Sequence, residues 1–197
     1  MTTTTALSDT ELLRQVRAGT AAAFQALYRR HQGPLFRFAV LRSGSADTAA
    51  DIVQEVFMGV LTGGFNYDPL RGQLQAFLFG VARNLIMKHE ERHQRHTSLP
   101  EPGEDGELEL DAASEAAEPL ARLLGNELAE EVRHALAQLP PPYRDAVILY
   151  ELHDLSYLEI ADICQVDIGT VRSRLSRGRA ALAKRLGAHR PILINAA

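Results

Sequence analysis

A basic, hydroxyl-bearing helix near the C-terminus carries the clearest binding chemistry in the chain. At 100° per residue, one stripe of this helix is apolar and holds Val171, Leu175, Gly178, Leu182 and Leu186. The other directions hold the polar candidates Arg172, Ser173, Arg174, Ser176, Arg177 and Lys184. Arginine can pair with guanine edges, and serine can bond to bases or phosphates, so this face suits the major groove of DNA.

A shorter helix precedes this one at the spacing of a helix-turn-helix. Ser156 and Glu159 are placed to form a capping box, residues 164–166 form the turn, and Asp167 caps the second helix. A solvated basic helix without a DNA partner would have a similar composition. The turn, together with seven basic residues against one acidic residue between Asp167 and Arg190, favours DNA binding.

Other reactive side chains give weaker signals. His89, His93 and His96 share one helical face where a metal ion is conceivable, but their basic neighbours favour a polar, pH-sensitive surface, and we expect no metal site. Cys164 lies in the predicted turn, where packing is favoured over redox sensing. No P-loop, G-x-S-x-G or H-E-x-x-H motif occurs. We therefore expect no catalytic residues, no cofactor and no enzymatic activity.

The charge is segregated along the chain that must position these residues. Residues 1–100 carry 11 basic and 8 acidic side chains, and residues 132–197 carry nine and six. Residues 101–131 between them carry 11 acidic side chains and one basic. Such a run of like charges with few apolar residues favours a flexible linker, here placed at 97–125.

The periodicity of apolar residues is helical throughout, and no segment alternates long enough to predict a strand. Helices are predicted near 9–19, 20–32, 34–44, 46–63, 73–94, 126–139 and 141–152, followed by the helix-turn-helix. We expect an all-α fold of two small helical domains joined by a flexible acidic linker. The predicted division is a tail at 1–8, a domain at 9–96, the linker at 97–125, a helix-turn-helix domain at 126–188 and a tail at 189–197.

The location of the protein is also constrained by the sequence. Its N-terminus has no signal-peptide pattern, no segment has the roughly 20 apolar residues of a membrane span, and there is a single cysteine. These features predict a cytoplasmic protein without membrane insertion.

The C-terminal residues also carry a family resemblance. Residues 136–186 resemble region 4 of bacterial RNA polymerase sigma factors of the extracytoplasmic-function (ECF) type. The matching pieces are Leu139-Pro140, Tyr143-Arg144, Glu159-Ile160-Ala161 and the run from Gly169 to Leu175. The resemblance implies that this domain reads the minus-thirty-five promoter element, with Thr170 added to the six polar residues named above, and touches the β flap of the polymerase.

Two N-terminal segments resemble region 2 of the same family. Residues 50–57, ADIVQEVF, are similar to the part that docks on the β′ clamp helices, which implies core-polymerase contacts at Asp51, Gln54 and Glu55. Residues 65–84 are similar to the part that melts the promoter and reads the minus-ten element. The residues implied there are Phe65, Asn66, Tyr67, Arg71, Arg83 and Asn84. Aromatic and amide side chains can stack on and bond to a flipped base, and arginines can hold phosphates.

The expected function is that of a sigma factor that binds core RNA polymerase and directs it to promoter DNA. The resemblance also implies restraint by an anti-sigma partner, and an acidic linker that follows the positively charged RNA exit path. A stand-alone helix-turn-helix regulator remains an alternative, although it leaves Asp51–Phe57 and the aromatic loop unexplained. A module that binds only proteins is a second alternative, against which the basic face at Arg172 and Arg177 argues.

Overall fold

The computed structural model describes residues 7–97 and 126–188. All regular structure in these two ranges is helical, with no strand, in agreement with the predicted all-α class. Apart from Thr97, the predicted acidic linker lies outside the described residues. Most of both predicted tails lies outside them as well.

The N-terminal domain consists of four helices. They are α1 (Asp9–Arg17), α2 (Ala21–Ser43), α3 (Ala46–Thr62) and α4 (Leu74–Thr97). All four helices contribute buried apolar side chains to the shared core, which includes Leu12, Leu27, Phe38, Val56 and Phe79. Burial of each such side chain is worth about 1.5–3 kcal/mol, which fixes how the helices present their polar faces.

Local signals set the bounds of α1 and α3. The Ser8 Oγ accepts a hydrogen bond from the Glu11 amide at 3.2 Å, and the Ser45 Oγ accepts one from the Thr48 amide at 3.2 Å. Helix α3 ends at Gly63, whose φ of 68° is a left-handed conformation that glycine adopts without strain. These starts and stops agree with the sequence prediction.

The sequence prediction is wrong for helix α2. We expected separate helices at 20–32 and 34–44, broken at Pro34, but Ala21–Ser43 is one helix with Pro34 inside it. Proline removes one helical hydrogen bond, which normally interrupts a helix. Here Leu27, Leu35 and Phe38 are buried on both sides of Pro34, and that continuous packing outweighs the lost bond.

The C-terminal domain begins with α5 (Asn126–Ala137) and α6 (Pro141–Val147), which continues into a π-helical turn at Ile148–Leu152. The helix-turn-helix follows as α7 (Tyr157–Cys164) and α8 (Ile168–Ala188). The predicted Ser156 capping box is present, and the Asp167 Oδ1 accepts a bond from the Thr170 amide at 2.8 Å. The predicted helix-turn-helix is therefore formed with both of its caps.

Close packing of α8 on α6 orients the basic face. A Cβ at Gly178 would lie 2.6 Å from a methyl group of Val147, so only glycine allows this approach. Val171 and Leu175 of the predicted apolar stripe are buried, and Leu182 and Leu186 are half-buried. The polar directions of α8 are consequently turned away from the domain core.

The two domains are in contact with each other. Helix α2 packs against α5, α6 and the π-helical turn, and α4 packs against α7. None of the described helices is long and apolar enough to cross a bilayer.

Candidate nucleic-acid and polymerase interfaces

Helix α3 separates a polar face from a buried one. Asp51, Gln54 and Glu55 are exposed, whereas the intervening Ile52 and Val53 are buried. The spacing i, i+3, i+4 explains why the three polar side chains lie together. The structure therefore leaves the predicted docking residues available to a partner.

An apolar groove of about 540 Å³ adjoins this polar face and includes Gln54 in its lining. Tyr28, Met58 and Leu61 line it and are 39%, 50% and 46% exposed. Exposed apolar side chains beside a polar rim are typical of protein–protein contact sites. The sequence analysis missed these residues, although Met58 and Leu61 follow Gln54 at helical spacing.

The predicted aromatic loop is folded back on its own domain. Phe65 and Tyr67 are half-buried, with their ring centroids 6.4 and 5.3 Å from that of Phe77. The Phe65 ring also occupies the space where Gly59 lacks a side chain. The Tyr67 hydroxyl donates to the Gly72 carbonyl at 2.9 Å. Of the three loop residues, Asn66 alone is exposed.

Four of the predicted minus-ten residues line a single cavity of about 310 Å³, namely Asn66, Tyr67, Arg71 and Asn84. Phe65 and Arg83 are not part of its lining. The Arg83 side chain is 11% exposed, and its Nε lies 2.7 Å from the Asp145 carboxylate in the other domain. The amides, the guanidinium of Arg71 and the Tyr67 ring are groups that can meet a base and its phosphate. The lining also includes three carboxylates, which repel a phosphate: Asp68 of the N-terminal domain, and Glu159 and Asp162 of the C-terminal domain.

Helix α8 exposes most of the predicted DNA-reading residues. Arg172, Ser173, Ser176, Arg177 and Lys184 are all exposed. Arg172 and Lys184 are twelve residues apart, about 18 Å along the axis, so they would meet different parts of a duplex.

Tyrosines from the preceding helices contact two of these arginines. The Arg172 guanidinium lies 5.8 Å from the centroid of the Tyr157 ring. The Arg177 Nη1 donates to the Tyr143 hydroxyl at 3.3 Å, and this bond raises the pKa of Arg177. Such contacts restrict the two side chains and reduce the entropy lost on binding.

The remaining two predicted residues of α8 are partly occupied within the domain. The Thr170 hydroxyl donates to the Asp167 carboxylate at 2.8 Å, and this bond together with the Thr170 amide lowers the pKa of Asp167. Arg174 is half-buried, and its Nη1 is buried without a hydrogen-bond partner. Both are less available to a duplex than Arg172 and Arg177.

The histidine and cysteine candidates have ordinary surroundings. Within residues 7–97 and 126–188, no three His, Cys, Asp or Glu side chains are grouped closely enough to hold a metal ion. The side chain of His96 lies outside the described residues. Cys164 is buried, and burial raises the pKa of its thiol, which disfavours the reactive thiolate.

Family models match both domains. The one described as "Sigma-70 region 2" matches residues 27–96, and the one described as "Sigma-70, region 4" matches residues 129–182. The first range contains the α3 face and the cavity, and the second contains the helix-turn-helix. Their order along the chain is the order in which the sequence predicts them.

Known proteins resemble the chain over most of its length. The ECF RNA polymerase sigma factor SigM of Mycobacterium tuberculosis is 32% identical over 182 residues, covering 91% of this chain and 85% of SigM. The ECF RNA polymerase sigma factor SigE of Mycolicibacterium smegmatis is 33% identical over 165 residues, covering 83% of this chain and 61% of SigE. The chain thus spans less than two thirds of SigE.

Solved structures share the fold. The sigma factor RpoE from Bartonella quintana, in complex with the anti-sigma factor NepR, superposes with a TM-score of 0.61 at 26% identity, covering 85% of this chain and 98% of RpoE. CnrH, in complex with the cytosolic domain of CnrY, superposes with a TM-score of 0.65 at 23% identity, covering 91% of this chain and 97% of CnrH. The chain matches the models of both sigma regions, and it is 32% identical to SigM over most of both chains. These findings show that the chain belongs to the family of ECF RNA polymerase sigma factors.

Proposed function

We propose that this chain binds core RNA polymerase and directs it to a small set of promoters, with one task for each domain. The observation that carries the proposal is the presence, in one chain, of an exposed polar face on α3 and an exposed basic face on α8. A stand-alone DNA-binding regulator needs only the second. The match to sigma region 2 over residues 27–96 accounts for the first.

The α3 face is the proposed contact with the β′ clamp helices. Asp51, Gln54 and Glu55 supply polar contacts, and the adjoining groove with Met58 and Leu61 supplies apolar area. Polar residues around an apolar centre form the usual anatomy of a protein interface. The C-terminal domain is proposed to touch the β flap.

The cavity lined by Asn66, Tyr67, Arg71 and Asn84 is the proposed minus-ten site. The amide groups of Asn66 and Asn84 can bond to an unpaired base, and the guanidinium of Arg71 can hold a phosphate. The Phe65 ring packs on Phe77, which in turn packs on Tyr67 and lines the cavity, so we assign Phe65 to the shape of the cavity and not to base contact. Arg83 would become available only when it leaves Asp145.

Helix α8 is the proposed reader of the minus-thirty-five element. Arg172, Ser173, Ser176 and Arg177 lie in its first half, which enters the groove in helix-turn-helix proteins. Lys184 lies further along and is assigned to phosphate contact. Thr170 and Arg174 would position the N-terminal turn of the helix, because their polar groups already contact or face their own domain.

A further protein partner and the bounds of the two domains are proposed from the properties of the family. RpoE of Bartonella quintana is bound by the anti-sigma factor NepR, and we propose that an anti-sigma factor also restrains this chain in the cytoplasm. We propose functional domains at 9–96 and 126–188, with residues 97–125 joining them as an acidic linker in the RNA exit path.

Co-elution with core polymerase tests the proposal against a stand-alone regulator. The purified chain is expected to move with core polymerase in size-exclusion chromatography in the absence of DNA. The variant Asp51→Ala with Gln54→Ala should elute separately, and the matched variant Asp154→Asn should elute with the polymerase. If the unmodified chain elutes alone and still binds duplex DNA, the chain is a stand-alone regulator.

A further inference from the structure

Arg179 of α8 is held by two residues of the π-helical turn that precedes the helix-turn-helix. Its Nε donates to the Glu151 carboxylate at 2.6 Å, and its guanidinium lies 5.1 Å from the centroid of the Tyr150 ring. The bond to Glu151 raises the pKa of Arg179. The sequence analysis did not single out this arginine, because Glu151 is 28 residues away and no local pattern joins the two.

The π-helical turn at Ile148–Leu152 explains why both side chains reach α8. Ile148 and Leu149 are fully buried, whereas Tyr150 is half-buried and Glu151 is exposed. The first pair therefore anchors the turn in the domain core, and the second pair faces Arg179. Turns of this type are rare and frequently occur at functional sites.

A second tyrosine extends the contact to another arginine of α8. The ring centroids of Tyr150 and Tyr157 are 5.2 Å apart, and the Arg172 guanidinium lies 5.8 Å from the Tyr157 centroid. A guanidinium over an aromatic ring is attracted by the negative charge of the ring face. These four side chains form a tyrosine–arginine row in the order Arg179, Tyr150, Tyr157 and Arg172.

The row lies along one edge of the exposed face of α8. Arg172 and Arg179 are seven residues apart, so they lie on the same side of the helix and about 10 Å apart along its axis. With Val171 at zero, they point to about 100° and 80°, whereas Ser173 and Arg177 point to about 200° and 240°. Arg179 is therefore placed beside the centre of the face and not within it.

This edge of α8 borders the first helix of the helix-turn-helix, because Tyr157 is the first residue of α7. In helix-turn-helix proteins the first helix crosses the DNA backbone while the second enters the major groove. The edge between them is therefore the part of α8 that meets phosphates. The bond to Glu151 engages the Nε of Arg179, and an arginine has four further N–H donors, on Nη1 and Nη2, that can bond to a phosphate.

We propose that Arg179 binds a phosphate of promoter DNA, and that Tyr150 and Tyr157 are positioning residues that hold Arg179 and Arg172 in place for DNA. An arginine that is already restrained loses less side-chain entropy when it binds. Glu151 holds the same guanidinium from the protein side. The inference rests on the proposed role of α8 as the reader of the minus-thirty-five element.

The restraint can be measured without DNA. Nitrogen-15 relaxation of the arginine Nε–Hε groups in the full chain, assigned with Arg172→Lys and Arg179→Lys, gives an order parameter for each side chain. Both order parameters should exceed about 0.6 in the unmodified chain. That of Arg172 should fall below this value in Tyr157→Leu, and that of Arg179 in Tyr150→Leu and in the exposed variant Glu151→Gln. Values below about 0.6 in the unmodified chain would overturn the positioning role.

DNA binding by the holoenzyme tests the phosphate contact. Core RNA polymerase loaded with the full chain first selects sequences from a pool of random duplexes, and the affinity for the selected duplexes is then measured at several salt concentrations. Arg179→Gln should weaken binding to all of them alike, by about three- to tenfold, and lower the slope of log affinity against log salt by about 0.9. Arg133→Gln is the matched control, because Arg133 is also paired with a glutamate, Glu130, but on α5. It should change neither quantity.

The tyrosine variants separate positioning from charge. Tyr157→Leu keeps every charge, so it should leave the salt slope unchanged while base preference among the selected duplexes falls by about three- to tenfold. Tyr157→Phe keeps the ring and should restore that preference, which a role of the hydroxyl group alone would not allow.

Three results would overturn the inference. If Arg179→Gln binds DNA with unchanged affinity and salt slope, Arg179 only braces the π-helical turn. If Tyr157→Leu keeps the full base preference, the tyrosine does not position Arg172. If the unmodified holoenzyme selects no sequence beyond those that core polymerase retains alone, the proposed function fails, and this inference fails with it.

Discussion

Lowering the pH from 7.5 to 5.5 should weaken the contact between the two domains through His153. This side chain is 9% exposed, and its Nε2 is buried without a hydrogen-bond partner. Burial among aromatic rings, and secondarily the positive charge of Arg37 on α2, lower the pKa of His153 to about 4. The His153 ring centroid lies 4.5 Å from that of Phe79 and 6.3 Å from that of Phe38, both in the N-terminal domain, so the imidazolium would be poorly solvated while the domains are in contact.

The sign of the effect follows from linkage. When the domains separate, His153 returns to water and to an ordinary pKa of about 6.5. The pKa of His153 is therefore lower while the domains are in contact, so its contribution to that contact is fully present above about pH 6.5 and is lost as the pH falls towards 4. At pH 5.5 the equilibrium constant for contact between the two domains should be about tenfold smaller than at pH 7.5, a difference of about 1.4 kcal/mol.

The assay is the affinity for random 12-nucleotide single strands of DNA at the two pH values, because separation of the domains frees Arg83 from Asp145. His153→Phe fills the aromatic site without a titrating group, and His134→Gln removes an exposed histidine as the matched control. The unmodified chain and the His134 variant should each gain about tenfold in affinity between pH 7.5 and 5.5 relative to His153→Phe. An identical pH response in His153→Phe would refute this explanation.

Three further outcomes are expected. Asp51→Ala with Gln54→Ala should weaken core-polymerase binding in a pull-down and leave the Tm nearly unchanged, because both side chains are exposed; loss of the fold would show them to be structural. Phe65→Ala should cost about 1–2 kcal/mol in urea unfolding, because its half-buried ring packs into the space beside Gly59; an unchanged midpoint would contradict that packing. Arg177→Ala should relax base preference in the minus-thirty-five element by about 1–3 kcal/mol in competition binding. Lys184→Ala should instead weaken binding to all sequences alike and lower its salt dependence. A uniform loss of affinity in both variants would mean that α8 docks differently.

Features that depend on neighbouring residues could be predicted from the sequence. The caps at Ser8, Ser45, Ser156 and Asp167 each use a side chain and an amide three residues later, so the information is local. The polar face of α3 and the apolar stripe of α8 follow from helical spacing alone. Pro34 misled the prediction because burial of α2 along its whole length overrides the local preference.

Features that depend on distant residues could not be predicted. Arg42 and Asp145 are 103 residues apart, and no local pattern indicates that these two charges meet in a buried cluster. The aromatic loop shows the same limit, because the residue types suit base stacking while the fold turns Phe65 and Tyr67 onto Phe77. What remains exposed at that site is decided by tertiary packing and not by composition.

Reconstituted transcription tests the central claim most directly. Core RNA polymerase is incubated with a promoter library, with and without the full chain, and the run-off transcripts are sequenced. The account predicts transcripts that depend on the chain and start downstream of a shared pair of minus-thirty-five and minus-ten elements. It also predicts that Asp51→Ala with Gln54→Ala abolishes them while Asp154→Asn does not. The same transcripts with and without the chain, under conditions where it binds duplex DNA, would contradict the account.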